Sequence, residues 1–158
     1  MLLALATQAG AATVHFKAHL TGSAEVPPVK TIATGDLTGN LDPATKLFTY
    51  KVTYNGLTGP ATMAHFHGPA GSGKTAPPAM MIADPASPIS SQANLTDAQV
   101  ADLRKGLWYL NVHTAAHPDG EIRGQVKQDN WAQAESPTRP PPQGYMERPP
   151  MARSPGDR

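Results

Sequence analysis

Apolar and polar residues alternate one by one along three short runs of this chain, and that alternation limits what it can fold into more than any other feature. Val14, Phe16, Ala18 and Leu20 alternate with His15, Lys17 and His19. Phe48, Tyr50, Val52 and Tyr54 alternate with Thr49, Lys51 and Thr53, and Trp108, Leu110 and Val112 with Tyr109, Asn111 and His113. A period of two sends successive side chains to opposite faces of an extended backbone, so each run reads as a half-buried antiparallel strand. Further strands are expected near Thr31–Asn40, Ala61–His67, Ala79–Ala83 and Glu121–Lys127, with turn signals at Gly39-Asn40, Asn55-Gly56, Gly71-Ser72-Gly73 and Asp119-Gly120 between them. About seven short strands in roughly 115 residues predict an all-β, antiparallel β-sandwich.

One helix interrupts the strands. Thr96-Asp97-Ala98-Gln99 is a capping box, Leu95 and Val100 are spaced as a hydrophobic staple, and Gly106 follows Arg104 and Lys105 as a stop. These signals predict a short helix over about 97–105 that connects strands and carries no chemistry of its own.

The ends differ from the middle. Residues 1–12 are uncharged and run from Leu2-Leu3-Ala4-Leu5-Ala6 into Ala9-Gly10-Ala11-Ala12, resembling the end of a secretory signal; a frayed start is the alternative. Residues 129–158 hold 7 of the 17 prolines, with few large apolar side chains, and read as a disordered Pro-rich tail. The domain proper is then 13–128, in a secreted or periplasmic protein, and no stretch is long enough to span a membrane.

Composition narrows the chemistry. With no cysteine, the chain has no disulfide, thiolate zinc site, iron–sulfur cluster or cysteine nucleophile, so a metal must sit on His, Asp or Glu. The formal charge of +1 provides no footprint for nucleic acid or an anionic membrane. Nothing in the pattern fixes the oligomeric state, and a homo-oligomer stays open.

Six histidines remain to be placed. In a strand, residues i and i+2 share a face, so His65 and His67 in Met63-Ala64-His65-Phe66-His67-Gly68 project side by side, either as a chelating pair or as two surface residues flanking a core Phe66. His113 ends another strand on the face opposite Trp108, Leu110 and Val112. Two histidines from one strand and a third from another are a minimal set that leaves a coordination position open, and Gly68-Pro69 would let the following loop fold away from it. His117, in the turn after His113, is a fourth ligand, an outer base or an exposed turn residue. His15 and His19 share a polar face with Lys17 and read as solvent-exposed, with a second, weak metal patch as the alternative, and Met63, Met80 and Met81, soft enough to ligate Cu(I), read instead as core filler. Imidazole ligation predicts binding that weakens as pH falls through about 6.5.

Gly22-Ser23-Ala24-Glu25-Val26-Pro27-Pro28-Val29, Ala33-Thr34-Gly35, Asn55-Gly56-Leu57, Ala64-His65-Phe66-His67-Gly68-Pro69-Ala70, Trp108 through Thr114 and Gly120-Glu121-Ile122-Arg123-Gly124 resemble the CHRD (chordin-type) domain, in order, over roughly residues 14–127. The resemblance implies an extracytoplasmic β-rich domain. Gly56-Leu57-Thr58, His65-Phe66-His67-Gly68, Val112-His113, Gly120 and Arg123-Gly124 are similar in order and spacing to copper/zinc superoxide dismutase, also an immunoglobulin-like sandwich. That similarity implies His65, His67 and His113 as copper ligands and Arg123 as the catalytic arginine that draws superoxide to the metal. The chain departs from that family in having no histidine between Gly68 and Pro88 for the bridging position and no cysteine for the disulfide.

What remains is a single-metal centre, copper by the Irving–Williams order, with iron or zinc also accepted by imidazole. Superoxide is the substrate if the protein is an enzyme. The alternatives are metal sequestration or delivery without turnover, and a non-catalytic interaction or matrix domain. For Arg123 the plain alternative is an ion pair with a neighbouring carboxylate.

Overall fold

The computed structural model describes residues 11–129, so the signal-like and tail readings of 1–12 and 129–158 lie almost wholly outside the described residues. Eight strands run β1 Val14–Thr21, β2 Thr34–Asp42, β3 Leu47–Asn55, β4 Ala61–His67, β5 Pro78–Met81, β6 Ile89–Asn94, β7 Trp108–Thr114 and β8 Ile122–Gln128. They form one antiparallel ladder in the order β5-β4-β7-β8-β1-β2-β3-β6. The fold is all-β, as the alternation requires.

The ladder curls onto itself. β3 and β4 are five strand steps apart, which in a flat sheet would separate them by about 24 Å. Yet the ring centroids of Tyr50 on β3 and Phe66 on β4 lie 5.0 Å apart, and those of Phe48 and Phe66 5.9 Å, both edge-to-face. The two halves of the sheet therefore face each other across a single core of alternate residues, including Phe16, Leu20, Leu37, Val52, Leu110 and Ile122. Edge-to-face pairs of this kind add about 0.5–1.5 kcal/mol each beyond the area they bury.

The helix α1, Asp97–Arg104, forms where its caps place it. Thr96 accepts from the Gln99 amide and the Gln99 side chain accepts from the Thr96 amide. The helix also ties the edge strand β5 to the segment before β3. Gln99 Nε2 donates to the Ala79 carbonyl of β5 at 3.3 Å, while Lys46, just before β3, pairs with Asp97 at 3.1 Å. An edge strand left bare would invite pairing with another chain.

Two local expectations change. β6, Ile-Ser-Ser-Gln-Ala-Asn, pairs with β3 but has too few apolar residues to show an alternating face, so the pattern alone passes over it. Glu121, at the start of the expected strand Glu121–Lys127, proves to be a fully buried carboxylate. Its carboxylate accepts from Thr31 Oγ1 (2.8 Å), Thr58 Oγ1 (2.8 Å), the Thr58 amide (3.0 Å) and Thr114 Oγ1 (2.7 Å). Burial pushes this carboxyl upward, but the donors from Thr114, Thr31 and Thr58 outweigh it and hold the pKa below the ordinary carboxylate value.

Candidate metal centre

The register of β5, β4, β7 and β8 sets out a grid of side chains on the outer face of the sheet. Ala64 and Phe66 point into the core, so His65 and His67 point out. On β7, Leu110 and Val112 point in, and Tyr109, Asn111 and His113 point out. Across the strands Met63 faces His113, His65 faces Asn111, and His67 faces Tyr109. On the far side of β7, Asn111 faces Arg123 and Tyr109 faces Gln125. This grid brings three histidines together: one ligand atom from each of His65, His67 and His113 lies within 4.8 Å of the others.

The other candidates lie elsewhere. His117 occupies the turn after β7, where its carbonyl accepts from the Thr114 and Gly120 amides, and it is not part of the group. It borders a shallow cleft with Glu25, Pro27 and Asp119. On β1, His15 Nδ1 and His19 Nδ1 make side-chain hydrogen bonds to Asn40 (2.6 Å) and Asp36 (2.8 Å), away from the group. The loop after His67 does not fold away. It lies against His67, Tyr109 and Arg123, while His65 and His113 are only 7% and 5% exposed. The loop is held by polar contacts: the Ala76 carbonyl accepts from His67 Nδ1 (2.9 Å), the Ala76 amide donates to Tyr109 Oη (3.2 Å), and the Lys74 carbonyl accepts from Arg123.

The proton positions follow from the partners. A backbone carbonyl can only accept, so His67 Nδ1–H donates to Ala76 and His113 Nδ1–H donates to the Pro118 carbonyl at 2.8 Å. In the neutral rings each Nε2 then carries a lone pair. Both Nε2 atoms face the same group, the Asn111 side-chain amide, at 3.0 and 2.9 Å from its Oδ1. Two lone pairs against a carbonyl oxygen repel. The arrangement is satisfied by a cation between them, or by the amide turned to present its NH₂. The third ring, His65, has its centroid 4.7 Å from that of His113 and 5.4 Å from that of His67, and its Nδ1 is buried with no hydrogen-bond partner. The donor set thus fits a metal: three imidazoles converge, two are oriented by outer carbonyls in the manner usual for metal-bound histidine, and the third holds an unspent nitrogen.

Electrostatics favour the neutral form of His65 and His67. Burial lowers the pKa of His65, and His113 and His67 beside it lower it further. Burial is also the main cause of a lowered pKa at His67, partly countered by its bonds to Ala76 and Asn111.

Arg123 stands behind the group. β7 separates β4 from β8, so the Tyr109 ring lies between His67, stacked at 4.7 Å and 2°, and the Arg123 guanidinium, 3.4 Å from the ring centroid. Arg123 is only 2% exposed. The nearby carboxylate is Glu25, which the sequence reading left out: it is buried, one oxygen has no hydrogen-bond partner, and burial raises its pKa to about 7 against the pull of Arg123. Gly120, at φ +123°, leaves room for it, since a Cβ there would collide with Glu25 Oε1 and come within 2.9 Å of Asn111 Nδ2. Asn111 and Tyr109 were also missed as site residues, although their period-two spacing to His113 put them on its face.

The fold and the grid define an antiparallel all-β domain with a three-histidine cluster on its outer face. A family model for the CHRD domain matches residues 16–126, and the chain belongs to that family, whose domains occur in extracellular proteins. No curated protein and no solved structure matches the chain. Among the described residues no helix is long and apolar enough to cross a membrane.

Proposed function

We propose that this CHRD domain works outside the cytoplasm and holds one transition-metal ion on His65, His67 and His113. The observation that carries the reading is the convergence of one ring nitrogen from each of His65, His67 and His113 within 4.8 Å of one another, with a buried nitrogen of His65 that has no hydrogen-bond partner. Copper is favoured by the Irving–Williams order, and the same ligands accept iron or zinc. His117 takes no part in the ligand set.

If the centre turns over, superoxide dismutation is the reaction. A redox metal held by His65, His67 and His113 would supply one-electron exchange between two superoxide ions, whose products are O₂ and, with two protons, H₂O₂. The chain's own residues do the rest. The Ala76 and Pro118 carbonyls fix the orientation of His67 and His113, and Tyr109 braces the His67 ring from behind. Arg123 supplies a fixed positive charge that draws an anion toward this face. The burial of Arg123 beneath Tyr109 and the Lys74 carbonyl favours a second reading, sequestration or delivery without turnover, because a guanidinium so enclosed makes no direct contact with an incoming anion.

The test is elemental analysis of protein loaded with copper, iron or zinc and then desalted, with a superoxide assay on the same sample. Retention of about one ion per chain is expected, with about tenfold or greater loss of affinity in His113→Ala. Absence of retained metal overturns the reading. Retained metal without faster superoxide decay than free ion removes the dismutase and leaves storage or delivery.

A further inference from the structure

We infer that the centre is built for cuprous copper, with the thioethers of Met63 and Met81 completing what the three imidazoles begin. The inference rests on the histidine cluster proposed above. It starts from two side chains in the wrong place for core filler: Met63 is 42% exposed and Met81 60%, whereas Met80, between them in kind and next to Met81 in sequence, packs against the core. The alternation of β4 and β5 turns Met63 and Met81 to the outer face, which is the face that carries the histidines.

Their positions on that face are specific. Met81 is the cross-strand partner of His65, and Met63 is the cross-strand partner of His113. Directly opposed residues of an antiparallel pair have Cβ atoms about 4.5–5.5 Å apart, so each thioether stands next to an imidazole of the cluster. Met63 also lies two residues before His65 on the same strand, which makes His65 a neighbour of both methionines. The cluster is therefore bounded on one side by the Asn111 amide and the loop after His67, and on the open side by two unbranched, flexible sulfur-bearing chains.

Ligand chemistry turns this placement into a preference. Thioether sulfur is soft and polarizable, a ligand for Cu(I) and a poor one for Zn(II) or other harder ions, while imidazole serves all of them. Three imidazoles alone would discriminate little between these ions. Adding two thioethers at the solvent side raises affinity for the reduced ion selectively, and places the soft ligands where an ion enters or leaves.

The experiment compares the full metal-free chain with Met63→Leu, Met81→Leu and the double variant, under anaerobic conditions, by competition with a chromophoric Cu(I) chelator and, in parallel, with a Zn(II) indicator. Leu keeps the volume and removes the sulfur. We expect each single variant to lose Cu(I) affinity by about tenfold or more while Zn(II) affinity stays within about twofold. Copper K-edge X-ray absorption of the Cu(I)-loaded wild type should contain a sulfur shell that the double variant lacks. Ag(I), added to wild-type protein, should shift the Met63 and Met81 methyl resonances, a readout that needs no variant to fold. Unchanged Cu(I) affinity in the double variant, or a wild-type absorption spectrum without sulfur, overturns the inference and leaves the three-histidine centre standing. Failure of the wild type to bind either Cu(I) or Zn(II) overturns both.

Discussion

Glu25→Gln changes one buried carboxyl to a neutral isostere, and the structure sets how stability should respond with pH. The carboxyl is 6% exposed, with Oε1 lacking a hydrogen-bond partner. Burial carries its pKa from the ordinary 4.5 to about 7, against the weaker opposing pull of Arg123 and the Val26 amide. Between those two values the unfolded chain has released this proton and the folded chain keeps it. The folded state then binds more protons, so stability falls as pH rises through this window and levels off above about 7. A displacement of that size corresponds to roughly 3 kcal/mol. Because Glu25 borders a cleft shared with Ser72, Gly73 and Arg123, solvent screening reduces the expected effect to about 1–2 kcal/mol. Glutamine has no proton to lose, so the variant should match the wild type near pH 4 and exceed it by about 1–2 kcal/mol at pH 8. In a domain of this size that is on the order of 5 °C in Tm. Urea denaturation of metal-free protein at pH 4, 6 and 8 measures it. A variant less stable than wild type at pH 8 would refute the reasoning, because it would mean that attraction between Glu25 and Arg123 outweighs the cost of burying the charge.

Two further outcomes follow from geometry already described. Lowered pKa values at His65 and His67 extend the neutral form of both rings below pH 6.5, so in metal-free protein NMR titration should place both midpoints under 6.5; a midpoint at or above 6.5 for either ring contradicts the assigned burial. Gly124 on β8 faces the β1 backbone, where an added Cβ would lie 2.6 Å from the His19 carbonyl oxygen, so Gly124→Ala should cost about 1–3 kcal/mol, read as a lower denaturant midpoint, and an unchanged midpoint would mean that the β1–β8 pairing yields without cost.

Much of this site could be read in the primary structure because a strand is a simple ruler. The i, i+2 spacing of His65 and His67 and the polar parity of His113 are local facts, and local facts survive folding. Which strands become neighbours is not local. That β7 lies between β4 and β8, so that Tyr109 meets His67 on one side and Arg123 on the other, depends on pairings over long separations that no window of residues contains. The same limit explains Glu25, which reaches the site from the turn after β1, and Glu121, which three threonines on separate segments draw inward. Met80 packs against the core as read, but Met63 and Met81 are exposed, for a different reason. Parity put Met63 and Met81 on the outer face all along, but their apolar character argued for the core, and only the register places them beside imidazoles.

The ladder order also sets a timetable. His65 and His67 are made and can pair with β5 well before β7 exists, so a growing or partly folded chain has two imidazoles but lacks the third. β7 becomes an interior strand only when β8 has docked on its other side, and β8 in turn completes its pairing on β1, the earliest strand of all. Such long-range closure is the slow part of folding an antiparallel domain. For the centre proposed above, capture of an ion would therefore come late, set by the metals that surround the finished domain.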